Sequence, residues 1–294
     1  MDTALKLKID IDNGINISNK EAVEILKQSE LVSKLTHEIN DSPLSYVWRI
    51  IALSEIPFSQ HLDFTKNLID RIYQKLSAPF GFSLSGDEKN FLPCYNAMLI
   101  SALCRLGRAG DKQVKDAIEW IVTYQPMERG MEVSIPNFNF DRFGGCFKAT
   151  PCYIGLAKSV IALFEYQQST GDSAVNPKLE QGVEYMLKHN LFKRLNKDQP
   201  ITDHILDISF PESYHLNIVE LIRFAGKANL LTDSRTDKAV KYLEKKRLNN
   251  GQWKVTYRYK ANDYIIFDQG RKPGDWVSYI ISRALNEKTK ANII

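Results

Sequence analysis

Five positions in this chain place an aromatic ring one residue into an apolar helical run, and these are the residues whose type and spacing bear most on chemistry. They are Tyr46 in Ser45-Tyr46-Val47-Trp48, Tyr95 in Cys94-Tyr95-Asn96-Ala97, Tyr153 in Cys152-Tyr153-Ile154-Gly155, Tyr214 in Ser213-Tyr214-His215-Leu216, and Trp276 in Asp275-Trp276-Val277-Ser278. Successive rings are 49, 58, 61 and 62 residues apart. Ring faces gathered at a mouth suit an isoprenoid, a lipid tail or a carbocation, and they also suit plain packing. Trp48, His215 and Tyr279 extend the candidate lining. The four cysteines (Cys94, Cys104, Cys146, Cys152), in a long chain with no export signal, read as reduced thiols or ligands rather than as a disulfide framework. Three acids near the run starts, Asp207, Glu212 and Asp275, open a carbohydrate reading, because glycoside hydrolysis needs two carboxylates about 5–10 Å apart. The sequence holds no nucleotide-binding glycine loop and no zinc-protease helix.

Positioning these residues falls to two kinds of helix. The five runs are apolar nearly all round, as in Met98-Leu99-Ile100-Ser101-Ala102-Leu103, which is the pattern of a helix buried on most sides. Four are followed by runs with apolar residues at i, i+3 and i+4 and charges between them: Leu68–Tyr73, Ala117–Val122, Val183–Leu187 and Ala239–Leu243. Those are helices with one wet face. An inner dry helix paired repeatedly with an outer amphipathic one predicts an all-α fold, an α/α toroid of about five to six hairpins. Gly251–Tyr259 reads as strand or hairpin, giving a short β-like segment near 251–268. The expected organisation is an N-terminal extension with a first helix over 1–43, one toroid domain over 44–285 and a tail over 286–294.

Composition sets the outer bounds. With 294 residues, 44% hydrophobic and 25% charged, the chain is long enough to bury a large core without disulfides or metal, and it is neither disordered nor fibrous. Its longest near-continuous apolar stretch, Ala97 to Cys104, is far short of the roughly 20 residues of a membrane span. The first residues lack the apolar core of a signal peptide, so a cytoplasmic location is expected. Residues 1–150 hold 17 Lys/Arg against 19 Asp/Glu, a balance of −2, and 151–294 hold 22 against 16, a balance of +6. Basic positions cluster at 188–197 and 241–247. They read as solvated helix faces or as attraction for a phosphate or diphosphate group. A net charge of +4 without a reading motif excludes nucleic acid as the expected partner.

These features resemble the terpene cyclase and protein prenyltransferase toroid superfamily over roughly Leu44 to Leu285. Arg247-Leu248-Asn249-Asn250-Gly251-Gln252-Trp253 keeps the Gly and Trp of the triterpene cyclase repeat, with Arg in place of its Gln. Gln125 and Gly130 form a second degenerate copy. Pro93-Cys94, Ala117-Ile118-Glu119-Trp120 and Gly251-Gln252-Trp253 also resemble an uncharacterised bacterial branch of the superfamily. The resemblance implies a central cavity taking a small apolar or diphosphate-bearing ligand. It also implies zinc, held in the prenyltransferases by an Asp and a Cys opening one inner helix and a His opening the next. Cys152-Tyr153 and Tyr214-His215 match that pair. The family's Asp position is Thr150 here, which leaves Cys146, Asp203 or Asp207 as the third ligand. The acid clusters of the terpene synthases are missing: Asp10-Ile11-Asp12 has two acids, and Asp203-His204-Ile205-Leu206-Asp207 lacks the doubled one. A non-catalytic ligand- or peptide-binding scaffold is therefore the third reading.

Overall fold

Ser42 and Pro43 start a helix for separate reasons: the Ser42 side chain accepts the Ser45 N–H, and proline in the first turn forfeits no intrahelical bond. The same logic recurs along the computed structural model, which describes residues 1–131 and 151–291. The fold is all-α. Its helices are α1 (Thr3–Asp12), α2 (Asn19–Lys27), α3 (Glu30–Leu35), α4 (Pro43–Ser54), α5 (Asp63–Leu76), α6 (Pro93–Arg105), α7 (Lys112–Tyr124), α8 (Tyr153–Thr170), α9 (Asn176–Lys188), α10 (Ile218–Lys227), α11 (Asp237–Lys245) and α12 (Asp275–Ala291). The chain divides into two compact units. Unit 1 comprises Met1–Leu179 with Ala261–Ile265, and unit 2 comprises Glu180–Lys260 with Ile266–Ile294.

Unit 1 contains three of the dry helices expected from the sequence. Ser45–Leu53 of α4, Pro93–Cys104 of α6 and Tyr153–Tyr166 of α8 are buried without a break. The amphipathic α5 and α7 bury one stripe each, Leu68, Ile69 and Ile72 in one and Val114, Ala117 and Ile121 in the other. α4 packs on α6, and α6 on α8. The three run in the same direction. Near their starts Trp48 meets Tyr95, with ring centroids 5.9 Å apart, and a Cβ on Gly155 would stand 3.8 Å from Pro93 Cβ. Near their ends Arg105 of α6 reaches Glu55 at the C-cap of α4 (2.8 Å) and Glu165 of α8 (3.2 Å). The outer helices return the chain between them.

The 1–43 region carries three helices rather than one. Asp2 ties two of them, capping α1 at Ala4 N–H while accepting from Ser29 Oγ (2.6 Å) and Leu31 N–H (3.2 Å) at the start of α3. A two-stranded antiparallel pair, β1 (Ser77–Ala78) and β2 (Gly81–Phe82), follows α5. Gly81, at φ +134°, is required there, since a Cβ would stand 2.6 Å from Asn96 Oδ1, the atom that accepts the Phe82 N–H.

Unit 2 packs α10 on α12 beside α11. Trp253 is 1% exposed and central: its indole N–H donates to Leu243 O (2.8 Å), its backbone N–H to Ser278 Oγ (2.9 Å), and the Arg247 guanidinium lies 5.2 Å from its ring centre. The 251–268 segment is non-helical, as expected, but it forms no ladder among the described residues, whose only named strands are β1 and β2. Its backbone bonds go instead to irregular chain, such as Thr256 N–H to Ile208 O (2.9 Å). The expected tail also differs: α12 continues to Ala291, because Asn-Glu-Lys-Thr-Lys-Ala contains neither Gly nor Pro to stop it.

Asp268 starts α12 from a distance, accepting the N–H groups of Val277 (2.7 Å) and Trp276 (3.2 Å). Gly274 leaves it room, since a Cβ there would stand 2.6 Å from the Asp268 carboxyl carbon. Burial raises this carboxyl above the usual 3.8, its backbone hydrogen bonds oppose the rise, and Asp275 adds to it. A raised folded value means that the native state holds the proton more tightly, so this group's contribution to stability falls as pH rises from 3.8 through the folded value. The expected result is that Asp268→Asn removes this descending component from the pH dependence of the urea midpoint, relative to the parent.

Candidate functional site

The expected rim residues separate by unit: Tyr46, Tyr95, Tyr153 and Cys152 belong to unit 1, and Tyr214, His215 and Trp276 to unit 2. Cys146 and Thr150 lie outside the described residues.

In unit 1, Tyr46 and Trp48 sit about 200° apart around α4 and so face different neighbours. Tyr46 turns to the outer helix, with Lys75 Nζ of α5 5.7 Å from its ring centre, whereas Trp48 meets Tyr95 of the next inner helix. Tyr264 completes this cluster edge-on to Trp48, with centroids 6.1 Å apart and an interplanar angle of 84°. Asp263, beside it, holds the segment in place: it accepts from Ser45 Oγ (2.5 Å) and Asn40 Nδ2 (2.8 Å) and stands 3.6 Å from Arg49 Nη2. Arg49 is fixed in turn by the carbonyls of Lys34 (2.9 Å) and Leu35 (2.7 Å). Burial pushes the Asp263 carboxyl up, but the bonds from Ser45 and Asn40 and the charge of Arg49 outweigh it and hold the group below the usual carboxylate value.

Tyr95 and Tyr153 are both buried, and the starts of α6 and α8 bring Cys94 and Cys152 into electrostatic range of each other and of Lys158. Lys158 is 1% exposed inside an otherwise apolar stretch of α8. Burial pushes the Cys94 thiol up to about 12, with Cys152 adding to the rise and Lys158 opposing it. Cys94 is therefore held as the protonated thiol, whereas Cys152 is partly exposed. With thiolate as the reactive form, iodoacetamide at neutral pH is expected to alkylate Cys152 well before Cys94. Peptide mass mapping against time checks the order, and equal rates would contradict it.

In unit 2, Tyr214 and His215 do not open a helix. Asn217 takes the N-cap instead, accepting from Val219 N–H (3.0 Å) and Glu220 N–H (3.2 Å), so α10 begins at Ile218 and the two rings lie on the loop before it. His215 joins a cluster there, with His204 and Tyr259 rings centred 4.2 and 5.5 Å away. His204 Nδ1 is 2.8 Å from Asp207 Oδ2, and Asp207 Oδ1 accepts from Thr256 Oγ1 at 3.2 Å. Asp207 is thus occupied in orienting an imidazole. Trp276 is 2% exposed and packs against Phe210 and Phe267, so it lies in the core of this unit. Glu212 is buried and Asp275 is exposed in the first turn of α12.

Among the described residues, no group of three or more His, Cys, Asp and Glu is arranged to hold a metal ion. The described helices include none long and apolar enough to cross a membrane. The sequence reading missed His204, Tyr257, Tyr264 and Lys158. His204 had a signal in its three-residue spacing from Asp207; Tyr264 had none, because its partner Trp48 is more than 200 positions away. Compared with protein-family models, with curated proteins and with solved structures, the chain matches none.

Proposed function

We propose that this chain is an α/α toroid of the terpene cyclase and prenyltransferase kind, working in the cytoplasm, that takes an apolar isoprenoid- or lipid-like ligand against its inner helices. The observation that carries the reading is the parallel course of α4, α6 and α8, dry on every side and separated by amphipathic partners. That is the hairpin alternation such a ring requires. Support also comes from the buried cluster of Trp48, Tyr95 and Tyr264, rings of the kind that hold a polyene or a cation in such proteins. The buried Lys158, near the starts of α6 and α8, is a charge suited to a diphosphate head group.

Zinc belongs to the proposal through Cys152, the partly exposed thiol at the N-cap of α8. The described residues alone do not supply a full ligand set, so no chemical step is assigned to the metal. The test is native mass spectrometry of the protein purified from cells, with elemental analysis of the same sample. A co-purifying apolar molecule that is lost on organic extraction supports ligand binding, and a protein of bare mass that also fails to take up added farnesol overturns it. Zinc near one equivalent, falling in Cys152→Ala, supports the metal, and zinc near zero in both removes it.

A further inference from the structure

Beside α5, unit 1 holds a cavity of about 520 Å³, within the size range of small-molecule sites. Much of its lining is a single face of α5. Phe64, Asn67, Leu68 and Arg71, with Gln74 and Lys75 beyond them, are spaced at three and four residues, so their side chains form one stripe along the helix. The rest of the lining comes from the segment 38–41, through Glu38, Ile39 and Asp41. The groove has an apolar floor: Leu68 is buried, and Phe64 and Ile39 are half-buried.

Two acids and two bases line this groove, and only one pair of them is joined. Lys75 Nζ is held by both carboxylate oxygens of Asp41 (2.6 and 2.7 Å) and lies 5.7 Å from the centre of the Tyr46 ring. Glu38 and Arg71 make no ion pair with each other or with any other described residue. The carboxamides of Asn67 and Gln74, one turn to either side of Arg71 on the same face, also have no side-chain hydrogen bond among the described residues. A guanidinium takes a carboxylate through two parallel N–H···O bonds, and a carboxylate takes an ammonium. A ligand of one sign would be attracted by Arg71 or Glu38 and repelled by the other, whereas a zwitterion satisfies both. At ~1.5 Å per residue, Asn67 to Gln74 spans about 10 Å of helix, the reach of about three extended residues.

We propose that this groove binds a short peptide of about three residues with both termini free, its C-terminal carboxylate on Arg71, its N-terminal ammonium on Glu38 and an apolar side chain over Leu68. The Asp41–Lys75 pair, already joined, needs nothing from the ligand and keeps the 38–41 segment against α5. Selectivity for length follows from the two open charges: an internal stretch of a protein chain carries neither terminal group, and a single amino acid carries both on one carbon. The site is independent of the isoprenoid reading above, since it uses none of the same residues.

The experiment is isothermal titration calorimetry of the full chain with the tripeptide Ala-Leu-Ala, with its N-acetylated form and with its C-terminal amide. The expected result is saturable one-to-one binding of the free tripeptide and about tenfold or weaker binding of each capped form. Two variants assign the contacts. Arg71→Gln should bind the free tripeptide no better than the C-terminal amide while still discriminating against the acetylated form, and Glu38→Gln should show the reverse. Both positions are exposed, and unchanged circular dichroism will show that the fold survives. No binding of Ala-Leu-Ala overturns the proposal. Equal binding of either capped peptide also overturns it, as does a loss of all three peptides alike in both variants, because the termini would then not be what the groove reads.

Discussion

Arg105→Ala is expected to destabilise the protein by about 3–5 kcal/mol, the cost typical of removing one partner from a buried ion pair. The Arg105 side chain is 10% exposed, and its two carboxylate partners are 0% and 10% exposed at Glu55 and Glu165. Alanine would leave both acids in a buried setting facing each other, without the cation that joins the ends of α4, α6 and α8. Desolvation decides the size of the effect, because the Coulomb attraction of a surface pair is worth only about 0–1 kcal/mol. Replacing all three residues with apolar side chains of similar volume (Glu55→Leu, Arg105→Met, Glu165→Leu) should recover most of the loss. Urea unfolding of the three proteins (parent, Arg105→Ala and the triple variant) measures both, and an Arg105→Ala protein within about 1 kcal/mol of the parent would show that the triad is a solvated contact.

The second large effect is expected at Trp253. Removing a fully buried tryptophan costs about 3–5 kcal/mol through lost transfer energy and the cavity left behind. Here the substitution also removes one of the two hydrogen bonds that the Leu243 carbonyl of α11 accepts, leaving the one from Lys246 N–H (3.0 Å), and strips the Arg247 guanidinium of its ring. Trp253→Phe keeps most of the packing and loses the indole donor, so its cost should be near ~1 kcal/mol, the net worth of one hydrogen bond. Hydrogen exchange should place the added lability of Trp253→Ala in α10, α11 and α12. Lability confined to α4–α8 would contradict the packing described for unit 2.

Where local chemistry decides the conformation, the sequence was readable. The dry helices α4, α6 and α8 and the amphipathic α5, α7, α9 and α11 follow from periodicity alone, because burial on all sides and burial on one stripe leave different patterns. The start of α10 was misread at Tyr214. An aromatic followed by apolar residues imitates the other run starts, but Asn217, with Glu220 three residues on, is the stronger cap and moves the start to Ile218. The Glu55–Arg105–Glu165 triad had a signal in the opposite charges that end neighbouring apolar runs. By contrast, the contact of Asp263 and Tyr264 with Ser45, Arg49 and Trp48 is set by tertiary packing between positions 214 to 218 residues apart in the chain, and nothing local announces it. The extended character of 253–260 was legible from its alternation, but the absence of a pairing strand among the described residues was not.

The central claim, that an apolar ligand rests against the aromatic face of the inner helices of unit 1, is tested most directly by titrating the protein with farnesol and with farnesyl diphosphate while following tryptophan emission. The account predicts a saturable change of one-to-one stoichiometry that is abolished in Trp48→Phe, with the binding itself weakened in Tyr95→Ala. A flat titration with both compounds, or a change that survives unaltered in Trp48→Phe, would contradict it.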